Sequence, residues 1–327
     1  MSALPRQKLN DYYDQFRPVD VTFTKEVIQT TGLVTKEIQL KCASDFFPCV
    51  IYSTSFEAAK VVANNKSGLL DKLKITNNML SIRFFFKIPA TEEQVVFLVP
   101  ARMTGNSSYG ESPDMTCFTL DFSSRPPDDF IEIMGRILEA TMNFAKRREE
   151  KVQIAPEMMR KMGLVSKDAT LQMGSLVRRC ILREVSFGSA RVIVMDSLPE
   201  DVHEAVVKIE FDDPREDCIL HATLVKQDLV ANTKNMYMLT LVYNEPVPMP
   251  YKVRLNNFIT TIKVDAHKEH GSPEDASPIT GAPITGASAT DGSATDGAAD
   301  AAQPVVDGLP ATDAADTEAS AISPEEK

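Results

Sequence analysis

Short apolar runs separated by polar connections dominate the first part of the chain. Runs with apolar residues in succession or at every second position occur at 38–40, 48–52, 80–88, 95–99 and 115–122. Such spacing is typical of β-strands. Because strand and helix patterns do not alternate regularly, the sequence favours an antiparallel barrel or sandwich over a doubly wound sheet. Two short helices are predicted between the strands, at 56–64 and 69–73.

A longer helix is predicted after a Pro-Pro pair. Asp128 and Asp129 follow the prolines and suit the first turn, because carboxylates accept from the free N–H groups there and interact favourably with the helix dipole. The residues that then recur on one face are Phe130, Ile133, Met134, Ile137, Leu138 and Thr141. Gly135 weakens the helix by roughly 1 kcal/mol relative to alanine. We interpret the apolar face as a surface that docks on a barrel, with a partner-binding helix as the alternative.

A second set of strand patterns follows this helix. The strands fall at 179–185, 190–195, 205–211, 218–225 and 236–243, with a helical piece near 156–162 before them and a closing helix over 251–262. The predicted fold is therefore mainly β, with two small antiparallel β-barrels joined by a linker helix and a disordered C-terminal tail. The predicted divisions are a flexible N-terminus (1–19), an N-terminal β-barrel (20–125), the linker helix and basic segment (126–150), a second barrel with its closing helix (151–266) and a disordered acidic tail (267–327).

The tail accounts for most of the net charge of −11. Residues 271–327 hold eleven acidic residues and one basic residue, with no aromatic residue and with short repeats such as Pro-Ile-Thr-Gly. So little apolar surface cannot offset about 1–2 kcal/mol of backbone entropy per residue, so we expect disorder. The tail is either a solvating or partner-binding tether or an extension without a selected role. The rest of the chain is close to neutral, and the acidic pI therefore does not indicate its ligands.

The cysteines indicate a reducing compartment. Five cysteines are scattered without a C-x-x-C spacing, which argues against both a disulfide framework and a zinc ribbon. The chain begins without the apolar core of a signal peptide, and no run approaches roughly 18 apolar residues. We therefore expect a cytoplasmic protein without membrane insertion.

The sequence lacks the motifs of common enzymes. It has no P-loop, no G-x-G-x-x-G after a strand, no G-x-S-x-G and no H-E-x-x-H. Ser186 has no histidine at an identifiable partner position, which weakens a nucleophile interpretation. His267 and His270 are three residues apart but have no third ligand nearby, so a solvated polar segment is favoured over a metal site. We expect neither an enzyme nor a metal protein.

Two segments together could form a site for a phosphate-rich, planar ligand. The first is a cation cluster at the end of the linker helix, with Lys146, Arg147, Arg148 and Lys151. The second lies between two apolar runs, as a strand-turn-strand would, and contains Arg183, Glu184, Ser186, Gly188 and Ser189. Cations are also favoured at a helix C-terminus by the helix dipole alone, which is the alternative interpretation of the cluster.

These segments resemble the motifs of the PilZ domain, the bacterial receptor for cyclic di-GMP, in its two-barrel, flagellar-brake type. Arg147 and Lys151 would stand at the two arginines of R-x-x-x-R, flanked by Lys146 and Arg148. Glu184, Ser186 and Ser189 would stand at the three defined positions of D/N-x-S-x-x-G. The resemblance implies that the cations bind phosphate and guanine and that the second motif contacts a guanine edge.

Three of these positions depart from the family pattern. Lys151 keeps the charge of arginine but lacks its bidentate fork, and Glu184 is one methylene longer than aspartate. Ser189 would cost about 1–2 kcal/mol if its backbone were left-handed, unless Gly188 adopts that conformation instead. The segment Arg179–Arg183 also reads R-x-x-x-R, but it directly precedes the Glu184–Ser189 motif, whereas the family's arginines lie a strand and a loop upstream of that motif. We therefore treat the segment as part of a strand. Arg178, Arg179, Arg183 and Arg191 are expected to add positive potential near the site.

The resemblance implies an effector that binds cyclic di-GMP and changes the angle between its barrels. Motility or attachment machinery, such as the flagellar motor, would read this change, and no nucleic acid polymer is expected as a partner. The alternative hypothesis is a degenerate PilZ fold that binds no nucleotide and acts as a protein interaction scaffold through its N-terminal barrel and tail.

Overall fold

The structure is a computed structural model that describes residues 4–88, 91–110, 112–199, 203–212 and 215–270. The described residues belong to one compact unit. They form two closed antiparallel barrels of six strands each, joined by a helix, which confirms the mainly β fold. The predicted disordered tail lies outside the described residues from 271 onward.

Barrel 1 closes by pairing its third strand with its fourth. Around the barrel the order is β3-β2-β5-β6-β7-β4, and β1 adds to the outer edge of β3. The elements of this half are α1 (Arg6–Phe16), β1 (Val21–Thr22), α2 (Lys25–Thr31), β2 (Gln39–Cys42), β3 (Asp45–Thr54), β4 (Ala58–Asn64), α3 (Leu69–Ile75), β5 (Met79–Lys87), β6 (Gln94–Tyr109) and β7 (Ser112–Phe122). Single 3-10 turns lie at Thr35–Glu37 and Asn65–Ser67.

Two sequence-based predictions in this half were wrong. The segment 56–64 contains strand β4 rather than a helix, because Ala59, Val61 and Ala63 alternate into the barrel core with a period of two. The N-terminus is not flexible throughout, since α1 buries Leu9 and Tyr12. The helix predicted at 69–73 is confirmed as α3.

The linker helix α4 (Asp128–Lys146) is anchored in barrel 1. Its apolar face is buried, which confirms docking on a barrel. Phe130 is fully buried, and four aromatic rings surround it at centroid distances of 4.9–6.3 Å, namely those of Phe56, Phe84, Phe97 and Phe122. These contacts fix the direction in which the helix leaves the barrel.

Barrel 2 has the same number of strands and its own apolar core. Its order is β11-β14-β13-β12-β9-β10, closed between β10 and β11, and β8 adds to β10. The elements are β8 (Val152–Gln153), α5 (Pro156–Met162), β9 (Asp168–Met173), β10 (Leu176–Val185), β11 (Ser189–Met195), β12 (Glu204–Phe211), β13 (Glu216–Leu229), β14 (Met236–Tyr243) and α6 (Met249–His270).

The closing helix α6 packs against the linker helix α4. Asn143 of α4 is buried and donates to the side-chain oxygen of Asn256 at 2.6 Å. Asn256 in turn donates to Glu139 at 3.0 Å. These polar contacts join the helix that is anchored in barrel 1 to the helix that closes barrel 2.

Candidate functional site

The cation segment after α4 lies directly on the turn between β10 and β11. The amide of Gly188 donates to the carbonyl of Arg148 at 3.0 Å. Further along, β8 pairs antiparallel with β10 and places Val152 opposite Val185. Continuing this register by one residue puts Lys151 opposite Ser186. The structure therefore brings together the two segments that the sequence analysis singled out.

Ser186 organises the turn from within. Its side chain is completely buried, and its hydroxyl oxygen accepts from the amides of Gly188 at 3.2 Å and Ser189 at 2.9 Å. The hydroxyl also lies 2.9 Å from the Ser189 hydroxyl. Such side-chain to backbone bonds substitute for ladder hydrogen bonds and hold a tight turn. The Ser186 hydroxyl is thus occupied inside the turn, and its expected bond to a ligand stays a prediction.

Gly188 is needed for close contact rather than for an unusual backbone. Neither Gly188 nor Ser189 has a positive φ, so the strain considered for Ser189 does not arise. A Cβ atom on Gly188 would instead lie 2.7 Å from Cγ and 3.0 Å from Nε of Arg148. The absence of a side chain at 188 lets Arg148 lie flat across the turn.

The four cations of the segment differ in how they are held. Arg148 pairs with Glu245, and its guanidinium lies 5.5 Å from the centroid of the Phe144 ring. Arg147 lies 3.8 Å from Glu150 and remains a third exposed. Lys146 and Lys151 are exposed. Arg147 and Lys151 are therefore available to a ligand, whereas Arg148 is already engaged on the turn.

A cavity of about 330 Å³ opens beside the turn on the outer face of barrel 2. It is lined by Gln153, Ile154, Ala155, Pro156, Lys167, Arg183, Glu184, Arg191 and Met238. This volume lies within the range of small-molecule sites. Arg191 donates to the carboxylate of Glu184 at 3.2 Å, so the longer acidic side chain is fixed at the cavity wall.

Six of these lining residues were not predicted from the sequence, namely Gln153, Ile154, Ala155, Pro156, Lys167 and Met238. Lys167, Gln153 and Met238 carry no local motif, and only the strand register brings them to the cavity. The alternation along β11 and β14, which places Met238 on the outer face, was the one available signal. Arg191, expected only as a source of positive potential, lies in the cavity wall.

The remaining arginines of β10 lie away from the turn. Arg178 donates to the carbonyls of Met195 at 2.9 Å and Asp196 at 3.2 Å, beyond the far end of β11. Arg179 is paired in register with Thr170, four residues before Arg183. Four residues of strand span about 13 Å. Arg179–Arg183 is therefore a strand segment, and of the expected cations only Arg183 and Arg191 lie in the cavity wall.

Among the described residues, no three His, Cys, Asp or Glu side chains lie together as metal ligands would. The five cysteines are free. His267 and His270 lie in the last turns of α6, but their side chains are outside the described part. In the described part of the chain, no helix has the length and apolar character needed to cross a membrane.

Known proteins match both halves of the chain. A PilZN3 domain model matches residues 7–141, from the first turn of α1 through barrel 1 into α4. A protein of Treponema denticola named cyclic di-GMP binding protein is 33% identical over 274 residues, which cover 83% of this chain and 87% of that protein. This alignment is longer than either barrel alone.

Solved structures of similar extent were also found. The Borreliella burgdorferi PlzA protein in complex with c-di-GMP is 18% identical, with a TM-score of 0.36, over 77% of this chain and 98% of PlzA. YcgR from Escherichia coli in complex with c-di-GMP is 12% identical, with a TM-score of 0.27, over 79% of this chain and 97% of YcgR.

Proposed function

This chain belongs to the family of two-barrel PilZ proteins that includes the Treponema denticola cyclic di-GMP binding protein, and we propose that it is itself a receptor for cyclic di-GMP. The observation that carries the proposal is the bond between the Gly188 amide and the Arg148 carbonyl. It places the cation segment on the serine turn, beside a cavity of suitable size.

The available side chains match the chemistry of the ligand. Cyclic di-GMP has two phosphates and two guanines. Arg147 supplies a planar fork of donors for a phosphate or for guanine O6 and N7, and Lys151 supplies a second positive charge. Arg183 at the cavity wall is exposed and forms no ion pair with any described residue. The cavity wall itself holds Lys167, Arg183 and Arg191, and three cations in one wall favour an anionic ligand over a neutral one.

Glu184 remains a competent acceptor for a guanine edge. An ionised carboxylate has about four acceptor positions, and the bond from Arg191 uses one of them. Its anchoring by Arg191 also limits the rotamer freedom that the extra methylene would bring. We therefore propose that Glu184 accepts from guanine N–H groups, with Arg191 fixing its position.

The ligand is proposed to change the relative orientation of the barrels. The segment between α4 and β8 both joins the barrels and supplies Arg147, so a ligand that fixes it on the turn favours one arrangement. The described arrangement has the segment on the turn, and we assign it to the ligand-favoured form. Spin labels at Lys74→Cys and Lys226→Cys, in a Cys117→Ser background, would report the distance between barrels. Cyclic di-GMP is expected to narrow the distance distribution, and an unchanged distribution would exclude reorientation.

Isothermal titration with cyclic di-GMP tests the binding itself. The intact protein is expected to bind saturably, and Arg147→Ala is expected to weaken affinity about 10- to 100-fold, the range for one charge-assisted hydrogen bond. Arg179→Ala is the matched control, because Arg179 is an exposed arginine that lies back along β10. It should leave affinity unchanged.

Two outcomes would decide against this site. A loss in Arg179→Ala equal to that in Arg147→Ala would mean that the string 179–183 is the true motif. A protein that takes up no ligand at high micromolar concentration would instead act as a scaffold of degenerate PilZ type.

Motility or attachment machinery is the proposed reader of the change. The family resemblance supports this assignment, and a cellular assay tests it. Cells that carry Arg147→Ala should no longer alter swimming or attachment when cyclic di-GMP rises, while cells with Arg179→Ala should respond normally. An equal response in both strains would remove this part of the proposal.

A further inference from the structure

The first turn of α6 is fixed by a residue of the other barrel. The amide of Met249 donates to the carboxylate of Glu26, in α2 of barrel 1, at 3.2 Å. The first N–H groups of a helix have no partner within the helix, and a carboxylate there also interacts favourably with the helix dipole. Glu26 thus stabilises the start of α6 across the junction between the barrels.

Two residues further on, Tyr251 in the same helix turn contacts the Ser186–Ser189 turn. The Tyr251 hydroxyl donates to the carbonyl of Ser186 at 2.7 Å. Tyr251 is buried and lies edge-on to Tyr243, with the two hydroxyls 3.2 Å apart. The Tyr243 amide donates to the Gly188 carbonyl at 2.8 Å. The side of the Ser186–Ser189 turn that faces the protein interior therefore packs against α6.

Lys252 adds a third contact between this helix turn and the site. Its ammonium lies 4.1 Å from the centroid of the Phe144 ring, and Phe144 contacts Phe187 of the serine turn edge-on at 6.2 Å. Burial lowers the pKa of Lys252, and this effect is partly offset by Glu26 and Glu245, while Arg148 adds to it. One turn of helix thus contacts barrel 1, the end of α4 and the serine motif.

We infer that Tyr251 and Glu26 are positioning residues for the ligand. Tyr251 holds the Ser186–Ser189 turn in its binding conformation, and Glu26 fixes the helix turn that carries Tyr251, although it belongs to the other barrel. The identity of the ligand rests on the proposed function. Because coupling between sites is reciprocal, ligand binding at the turn stabilises the contact of Glu26 by the same factor as Glu26 improves binding.

Paired tyrosine variants test the first part of this inference. Tyr251→Phe should weaken binding of cyclic di-GMP about three- to tenfold, the range for one hydrogen bond. Tyr243→Phe is an equally buried and isosteric control that leaves the bond from Tyr251 to Ser186 in place, and its affinity should stay near that of the intact protein. Equal affinities in the two variants would overturn the role of Tyr251.

Glu26 is tested by substitutions at the surface, which do not endanger folding. Glu26→Ala should weaken binding about two- to fivefold, as expected for a partly exposed cap. Glu26→Gln keeps an acceptor oxygen and should recover part of the affinity. Glu37→Ala, on the same barrel but near Arg83, serves as the control. Unchanged or tighter binding in Glu26→Ala would overturn the coupling.

Hydrogen exchange decides the inference without any ligand. The Ser189 amide is bonded within the turn, and the Gly188 amide is bonded both within the turn and to the Arg148 carbonyl. Their exchange, followed by NMR on the ligand-free protein, reports how firmly the turn is held. Exchange at both amides should accelerate about three- to tenfold in Tyr251→Phe and less in Glu26→Ala. Unchanged exchange in both variants overturns the inference. If the protein binds no cyclic di-GMP, the proposed function is refuted. The exchange rates would still show whether Tyr251 and Glu26 hold the turn.

Discussion

Gly188 and Arg148 form a close contact between the cation segment and the turn. The arginine backbone accepts from the glycine amide, and the arginine side chain covers the space where a Cβ atom would be. A residue with any side chain at 188 must therefore push Arg148 away. The contact explains a glycine at this position without any requirement for left-handed backbone.

The change Gly188→Ala tests this contact. Because the added methyl group displaces Arg148 from the turn, we expect affinity for cyclic di-GMP to fall about tenfold, with a loss of stability of about 1–3 kcal/mol from overpacking. Titration and urea unfolding would measure the two effects.

A double variant provides the control for this prediction. In an Arg148→Ala background the clash is absent, so Gly188→Ala should cost little further stability. Additive costs in the double variant would show that glycine is required for another reason.

At this scale the sequence revealed residue types but not their partners. The position of Ser186 followed from the motif, whose glycine position falls on Ser189, one residue after Gly188, and Arg147 followed from its place after the helix. The contact of Arg148 with Gly188, and the pairing of Arg191 with Glu184, depend on where α4 and β11 end in space. A local pattern does not contain that information.

Helix α1 is the element that ties the N-terminus to the linker helix. Tyr12 packs on α4 at Gly135, where a Cβ atom would lie 2.2 Å from the tyrosine ring. Its hydroxyl donates to Glu139, which also accepts from Lys8 and Asn256. Burial, followed by the charge of Glu139, raises the pKa of Tyr12, so the phenol remains a donor. Glu139 thus joins three helices, α1, α4 and α6.

Glu139 makes the stability of this junction depend on pH. Burial alone would raise the pKa of Glu139, but hydrogen bonds from Lys8, Asn256 and Tyr12, with the charge of Lys8, lower it overall. A lowered folded-state pKa contributes stability above the unfolded value of about 4.3 and loses it as pH falls through the folded value. Urea unfolding should therefore show that Glu139→Gln is about 1–3 kcal/mol less stable at pH 7 and that the difference shrinks below about pH 4.

The exposed Glu37 supplies the comparison for Glu139. Glu37→Gln removes a carboxylate 3.9 Å from Arg83, and surface changes of this kind usually stay within about 0.5 kcal/mol. The free energy of unfolding would contradict the lowered pKa of Glu139 if the difference between Glu139→Gln and the intact protein stayed constant from pH 7 to pH 3.5.

Long, strongly periodic elements were the most predictable. The apolar face of α4 and the strands of both barrels other than β4 and β9 were evident from spacing alone. Helix α1 was missed because three buried residues, Leu9, Tyr12 and Phe16, stand among polar ones in a short segment. Strand β4 was misread because alanines and valines without turn signals suit a helix and a buried strand equally. In both cases tertiary packing decided the structure.

The described residues form two apolar cores, which polar and apolar contacts of α4 and α6 connect. One core fills barrel 1 with α1 and α4, and the other fills barrel 2 with α6. Between them, Asn143 and Asn256 form a buried amide pair. Because a buried amide without a partner costs about 1–3 kcal/mol, this pair fixes how α4 and α6 meet.

Calorimetric unfolding should reveal how strongly the cores depend on each other. Asn256→Ala leaves the Asn143 amide without its partner, so we expect a lower Tm. We also expect the single unfolding transition of the intact protein to become two transitions in this variant. Asn257→Ala, at an exposed position one residue later in α6, is the control and should unfold as the intact protein does. One unsplit transition in Asn256→Ala would show that other contacts couple the barrels.

The dual anchoring of α4 has a consequence for its length. Phe130 near one end is enclosed by barrel 1, and Phe144 near the other end meets Phe187 of barrel 2. Each residue of an α-helix turns the chain by about 100°, so one inserted residue would aim Arg147 and Arg148 at a different side of barrel 2. An insertion of about seven residues would restore their direction while moving them roughly 10 Å further along the axis. The rotational phase of this helix therefore restricts which insertions and deletions evolution can retain between the two barrels.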